Sequence, residues 1–164
     1  MRMIWTAAII GLGAAALPAM AAESLGVFET WGAFRDAPQH RCYAIAEPET
    51  RYQKIDARPF ASVATWPRSR VRGQVHFRLR PLAAPAAQPR LSIGGRRFEM
   101  VGSGLNVWAA NRAMDATIIA AMRSAETMSV SVRSARGDTI TDRYRLRGAA
   151  TAIDAASLGC ARLR

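Results

Sequence analysis

The chain has 164 residues, half of them hydrophobic, which is material for one domain with a core of its own. Its 23 basic residues outweigh 12 acidic ones for a formal net charge of +11, and Lys54 is the only lysine. Such a balance points to an anionic partner or to a solvated arginine face, and it speaks to association rather than to fold.

Residues 1–21 read as a secretory signal. Arg2 supplies the positive start, Thr6 to Leu17 the short apolar run, and Ala19-Met20-Ala21 an A-x-A cleavage site. The run is short for a membrane span, which needs about 20 residues. The mature chain then starts at Ala22 and keeps 143 residues (164 less 21), with no second apolar run and so no transmembrane segment. Loss of Arg2 leaves 22 basic against 12 acidic residues, a formal +10. Export to the periplasm, the outer membrane or beyond argues against nucleic acid as the partner.

Between Leu25 and Pro48 two strands are expected, over 25–34 and 41–47, around a turn at Asp36-Ala37-Pro38. Trp31, Phe34 and Tyr43 read as packing residues of this sheet. Glu49 to Pro59 has no period and reads as a loop, followed by a strand at Phe60 to Trp66. Val71, Val75, Phe77 and Leu79 then alternate with Arg72, Gln74, His76, Arg78 and Arg80, a half-buried strand with a basic outer face. His76 reads as a solvated strand histidine whose arginine neighbours disfavour its protonated form. Residues 81–90 carry three prolines and form an extended loop. Leu91-Ser92-Ile93 and Phe98-Glu99-Met100 straddle Gly94-Gly95, the signature of a tight hairpin. Val101 to Arg112 lacks a period and reads as a loop, in which Trp108 is either a plug over the sheet end or a protein contact.

The stretch from Met114 organises the rest. Met114, Ile118, Ala121 and Met122 share one helical face. The period then changes to two, with Met128, Val130 and Val132 set against Ser129, Ser131 and Arg133. After a turn at Ala135 to Asp138 come Ile140, Tyr144 and Leu146, set against Thr139, Thr141, Arg143 and Arg145. This is a helix feeding a hairpin. Arg143, Arg145 and Arg147 lie on one side of its second strand, with Arg133 a candidate neighbour across the turn; Arg72, Arg78 and Arg80 make a second patch. Arginine suits phosphate and carboxylate because its planar fork pairs bidentately. A short terminal helix, Thr151 to Leu158, starts with Thr151 and Asp154 spaced as a capping box and turns Ile153, Ala156 and Cys160 to one side. Cys42 and Cys160 are an even pair in an oxidising compartment, so a bridge between them is expected. The alternative for His40 and Cys42, half of a metal site, has only His76 to complete it, short of the four ligands of a closed zinc site.

These residues carry a resemblance. The helix with Ile118 to Arg123, the hairpin ending in Tyr144-Arg145-Leu146-Arg147-Gly148, the alanine-rich helix before Cys160, and Trp31 followed by Cys42 resemble the invasion-associated locus B family of exported envelope proteins. The resemblance implies an immunoglobulin-like β-sandwich in the periplasm or at the outer membrane, an association with host-cell entry in pathogenic relatives, and no known chemistry. It therefore transfers no catalytic residue, no cofactor and no metal. The residues themselves lead to a compatible fold, since short alternating strands, two hairpins and one or two small helices make a mainly antiparallel sandwich or flattened barrel.

Three functional readings follow. The first is a non-catalytic envelope protein that binds an anionic envelope component or an envelope protein through its arginines. A second is a secreted or surface-associated interaction module that contacts host cells through Trp108 and the proline loop. The third is a periplasmic enzyme, for which the sequence offers no G-x-S-x-G elbow, no H-E-x-x-H and no phosphate loop.

Overall fold

The structure is a computed structural model that describes residues 22–50, 58–80, 84 and 87–161. The expected signal sequence, most of the 49–59 loop and half of the proline loop lie outside the described residues. Five strands run as an antiparallel meander: β1 (Glu23–Phe28), β2 (Trp31–Asp36), β3 (Arg41–Ala46), β4 (Phe60–Trp66) and β5 (Val71–Arg78). A second sheet uses β6 (Arg90–Ile93), β7 (Arg96–Glu99), β10 (Thr127–Arg133) and β11 (Thr139–Arg145), in the order β11-β10-β6-β7. Two short strands, β8 (Val101–Ser103) and β9 (Asn106–Trp108), extend the first sheet to seven, in the order β1-β2-β3-β4-β5-β9-β8. With helices α1 (Arg112–Ser124) and α2 (Ala149–Ala161), the result is an antiparallel β-sandwich with two helices.

Alternation sets the register where it is strongest. β10 and β11 pair Met128 with Tyr144 and Val132 with Ile140, so the apolar residues of both strands share the inner face. Val75, Phe77 and Leu79 are buried on the facing sheet, as their spacing predicts. Helix α2 lies on β1 to β4, whose inner residues Ala33, Ala44, Ala46 and Ala61 are small. Those side chains let a helix carrying Ala149, Ala152 and Ala156 approach closely, and tight approach is what turns buried area into dispersion contacts. The Cys42–Cys160 disulfide, with its Cα atoms 5.6 Å apart, fastens the end of α2 to β3. Trp31 is fully buried, and its Nε1 donates to the Arg145 carbonyl at 2.8 Å, joining β2 to β11 across the sandwich.

Three expected elements differ. The strand expected over 25–34 is a hairpin, because Glu29 takes a left-handed φ of 56° between β1 and β2 without a glycine to announce it. The expected loop over 101–112 contains the β8–β9 hairpin, turned at Gly104 with φ 62° and too short for a period to show. α2 starts two residues before Thr151, and Asp154 binds Arg123 on α1 instead of closing a capping box. Gly148 sets that start: its φ is 84°, and a Cβ there would lie 2.0 Å from the Phe28 carbonyl oxygen.

Candidate functional site

The two expected arginine patches are placed differently from each other. Arg143, Arg145 and Arg147 are exposed, as a stripe requires. Arg145 Nε, however, donates to Glu49 at 2.7 Å, and Arg147 lies 3.4 Å from Glu29. Arg145 also lines an open groove of about 590 Å³ whose rim holds Glu29, Glu47 and Glu49. Arg133 is not their neighbour: it pairs with Thr139 at the turn end of the hairpin, where its guanidinium donates to the Gly137 carbonyl at 2.6 Å. The second patch is not kept together: Arg78 is half-buried in the regular part of β5, whereas Arg72 is exposed on the other side of a register shift in that strand and lines a different surface. Arg80 leaves the outer sheet face, because β5 ends at Arg78 and the alternation lapses beyond it. Its Nε lies 3.0 Å from Asp142, a carboxylate on the inner side of β11 whose side chain is 3% exposed.

Another site is assembled from parts that sequence separates. At Gly73 β5 bulges with a φ of 70°, a conformation that favours glycine, and a Cβ there would also press the tip of the Ile119 side chain at 2.8 Å, so α1 lies close against this point. β9 pairs with β5 only from His76 onward, which leaves the first half of β5 with an open edge. α1 takes the place of a strand there. Asn111 caps the helix by accepting from Met114 N at 2.9 Å, and Asp115 in its first turn accepts the Val75 N–H at 2.8 Å. Burial pushes the Asp115 carboxyl up, and that backbone hydrogen bond opposes the shift. On the far side Arg123 and Asp154 join α1 to α2, and the hydrogen bond from Arg123 holds Asp154 below the usual carboxylate range.

The outcome is a groove of about 830 Å³ between α1, α2 and the β4–β5 turn. Its floor combines Ile119, Ile153 and the disulfide at Cys160 with Thr65 and Ser157. Its walls are basic: Arg70 from the turn, Arg72 from the start of β5, and Arg112 and Arg123 from α1. Arg123 is engaged by Asp154, whereas Arg70, Arg72 and Arg112 are exposed and have no carboxylate partner among the described residues. Sequence reasoning named Arg72 and missed the other three, which the fold gathers from positions 70, 112 and 123. The only advance signal was the arginine spacing in Pro67-Arg68-Ser69-Arg70-Val71-Arg72.

Trp108 belongs to a third surface. It stacks on His76 at 5.0 Å between ring centroids, and Phe60 meets the other side of His76 edge-on at 5.3 Å. All three rings are half-buried on the outer face of the seven-stranded sheet, where His76 Nε2 donates to Asn106 Oδ1 at 3.0 Å. Burial lowers the His76 pKa; the Asn106 hydrogen bond works against this, and the nearby Arg78 charge adds to it. The unfolded chain therefore takes up the proton first, and stability present above the ordinary value of 6.5 is lost as pH falls below it. Melting temperatures followed across the histidine range should decline from that point, and His76→Gln should flatten the decline.

Among the described residues no cluster of three or more His, Cys, Asp or Glu could hold a metal, and no helix is long and apolar enough to cross a membrane. No protein-family model matches the chain, and no curated protein matches it. The crystal structure of invasion associated protein B from Bartonella henselae does match, over 85% of this chain and 97% of that one, at 16% identity and a TM-score of 0.60. The two proteins share a fold. The resemblance read from Trp31, the hairpin and the terminal helix is thus upheld as a likeness of architecture to invasion associated protein B. The bridged Cys42–Cys160 pair fits the oxidising setting of an exported protein.

Proposed function

We propose that this protein is a non-catalytic envelope protein, processed after Ala21 and held in the periplasm or at the outer membrane, that binds an anionic envelope component through the groove between α1 and α2. The observation that carries this reading is the set of three guanidinium groups with no carboxylate partner among the described residues, Arg70, Arg72 and Arg112, beside Ile119 and Ile153. Guanidinium forks aimed at one cleft favour phosphate or carboxylate. Surface arginines already engaged by carboxylates offer less, so the pairing of Arg145 with Glu49 and of Arg147 with Glu29 argues for the groove over the hairpin stripe. The fold likeness to an invasion-associated protein supports the envelope setting.

The test is equilibrium binding of residues 22–164 to vesicles containing phosphatidylglycerol and to vesicles of phosphatidylcholine alone, across a salt series. Binding to the anionic vesicles should weaken as salt rises, because exposed charges are screened. Arginines near an anionic surface contribute about 1 kcal/mol each, so changing Arg70, Arg72 and Arg112 together to Gln should lower affinity on the order of 100-fold at low salt. Unchanged affinity in that variant, with the Arg143, Arg145 and Arg147 variant deficient instead, would return the site to the stripe.

A further inference from the structure

The groove has an apolar side that a bare anion would not use. Ile119 and Ile153 line its floor, and the helix α2 that forms one wall carries Leu158, which is 71% exposed. Leu158 follows Asp154 by four residues, so both stand on one face of α2, and Asp154 is bound by Arg123, which lines the groove. Ser157 and Ala161, on either side of it in sequence, line the groove itself. An exposed leucine therefore stands beside a cleft walled by Arg70, Arg72 and Arg112. On a surface helix this side chain adds nothing to the core: the buried face of α2 is Ala149, Ala152, Ile153, Ala156 and Cys160.

We infer that the groove docks the protein on an anionic lipid surface, the arginines taking a headgroup phosphate and Leu158 entering the acyl boundary beside it. The inference rests on the groove being the anion site. Two features select a lipid over a soluble anion. Charge complementarity brings phosphate to the arginines, and the exposed Leu158 beside them is covered only by a ligand that carries hydrocarbon next to its charge. Peripheral contacts of this kind combine basic residues at headgroup depth with apolar ones below them.

The experiment compares the parent chain with Leu158→Ser on phosphatidylglycerol vesicles, with soluble glycerophosphate as competitor. Because Leu158 is exposed, the variant keeps its core, which circular dichroism and the melting temperature verify. The expected result is a loss of vesicle affinity of about tenfold in Leu158→Ser, a matching loss in the equally uncharged Leu158→Asn, and little displacement of the parent by glycerophosphate. Equal vesicle affinity of the parent and both leucine variants overturns the lipid inference. If glycerophosphate then displaces the parent from the vesicles, the groove takes the anion alone and the anion-binding reading stands. If the Arg70, Arg72 and Arg112 variant binds vesicles as well as the parent does, both readings fail.

Discussion

Opening the Cys42–Cys160 bridge, by reduction or by replacing both cysteines with alanine, is expected to remove about 4 to 5 kcal/mol of stability. The two residues are 118 apart in sequence, and in the chain-entropy account a loop of about 100 residues confers about 4.7 kcal/mol by restricting the unfolded chain. A domain of this size has only about 5 to 15 kcal/mol in total, so the reduced protein should sit near its unfolding threshold. Both sulfurs are buried, so alanine leaves only a small void behind the lost constraint. Urea melts with and without reductant measure the effect. Since Cys160 is part of the groove floor and fixes the end of α2 to β3, vesicle binding should fall at denaturant concentrations that leave the oxidised protein folded. Coincident midpoints would remove the bridge from the stability account.

The second large effect is expected at Asp142. Its carboxylate and the Arg80 guanidinium form an ion pair between the sheets, with side chains 3% and 14% exposed. Asp142→Ala leaves a charged arginine in that interior, a change that costs about 3 to 5 kcal/mol at buried pairs. Replacing both partners with apolar residues of similar volume removes the stranded charge along with the pair. The double variant Arg80→Met, Asp142→Leu should therefore recover most of the loss. Chemical denaturation of the two singles and the double closes the cycle. A single-variant cost under about 1 kcal/mol would mean that solvent reaches the pair and that it contributes as surface pairs do.

Arg80 also shows where periodicity stops being informative. β10, β11 and most of β5 could be read from the sequence because a half-buried strand must alternate, and Met128 to Val132, Tyr144 and Val75 to Leu79 do so. The face of α1 was readable for the same reason at a period of 3.6, and Ile118, Ala121 and Met122 are buried. The rule has no hold past a strand end, and there Arg80 turns inward to Asp142. It has no hold either on a turn made by Glu29 in a left-handed conformation, or on strands of three residues such as β8 and β9. Gly148 was visible as part of a sequence pattern, and its physical reason, the 2.0 Å that a Cβ would leave to the Phe28 carbonyl oxygen, is visible only in the fold. The groove was hidden because its arginines come from the β4–β5 turn, the start of β5 and both ends of α1. Nothing local in the sequence brings Arg72 beside Arg112; the Gly73 bulge and the Asp115 contact to Val75 do.

The most direct test of where this protein meets its partner is hydrogen exchange of residues 22–164 with and without phosphatidylglycerol vesicles at low salt. The groove account predicts added protection in the β4–β5 turn around Arg70, at the start of β5 around Arg72, in the first turns of α1, and in the last turns of α2 near Leu158, with the β10–β11 hairpin unchanged. Protection confined to the hairpin around Arg143 and Arg145, with α1 and α2 exchanging as in the free protein, would contradict it.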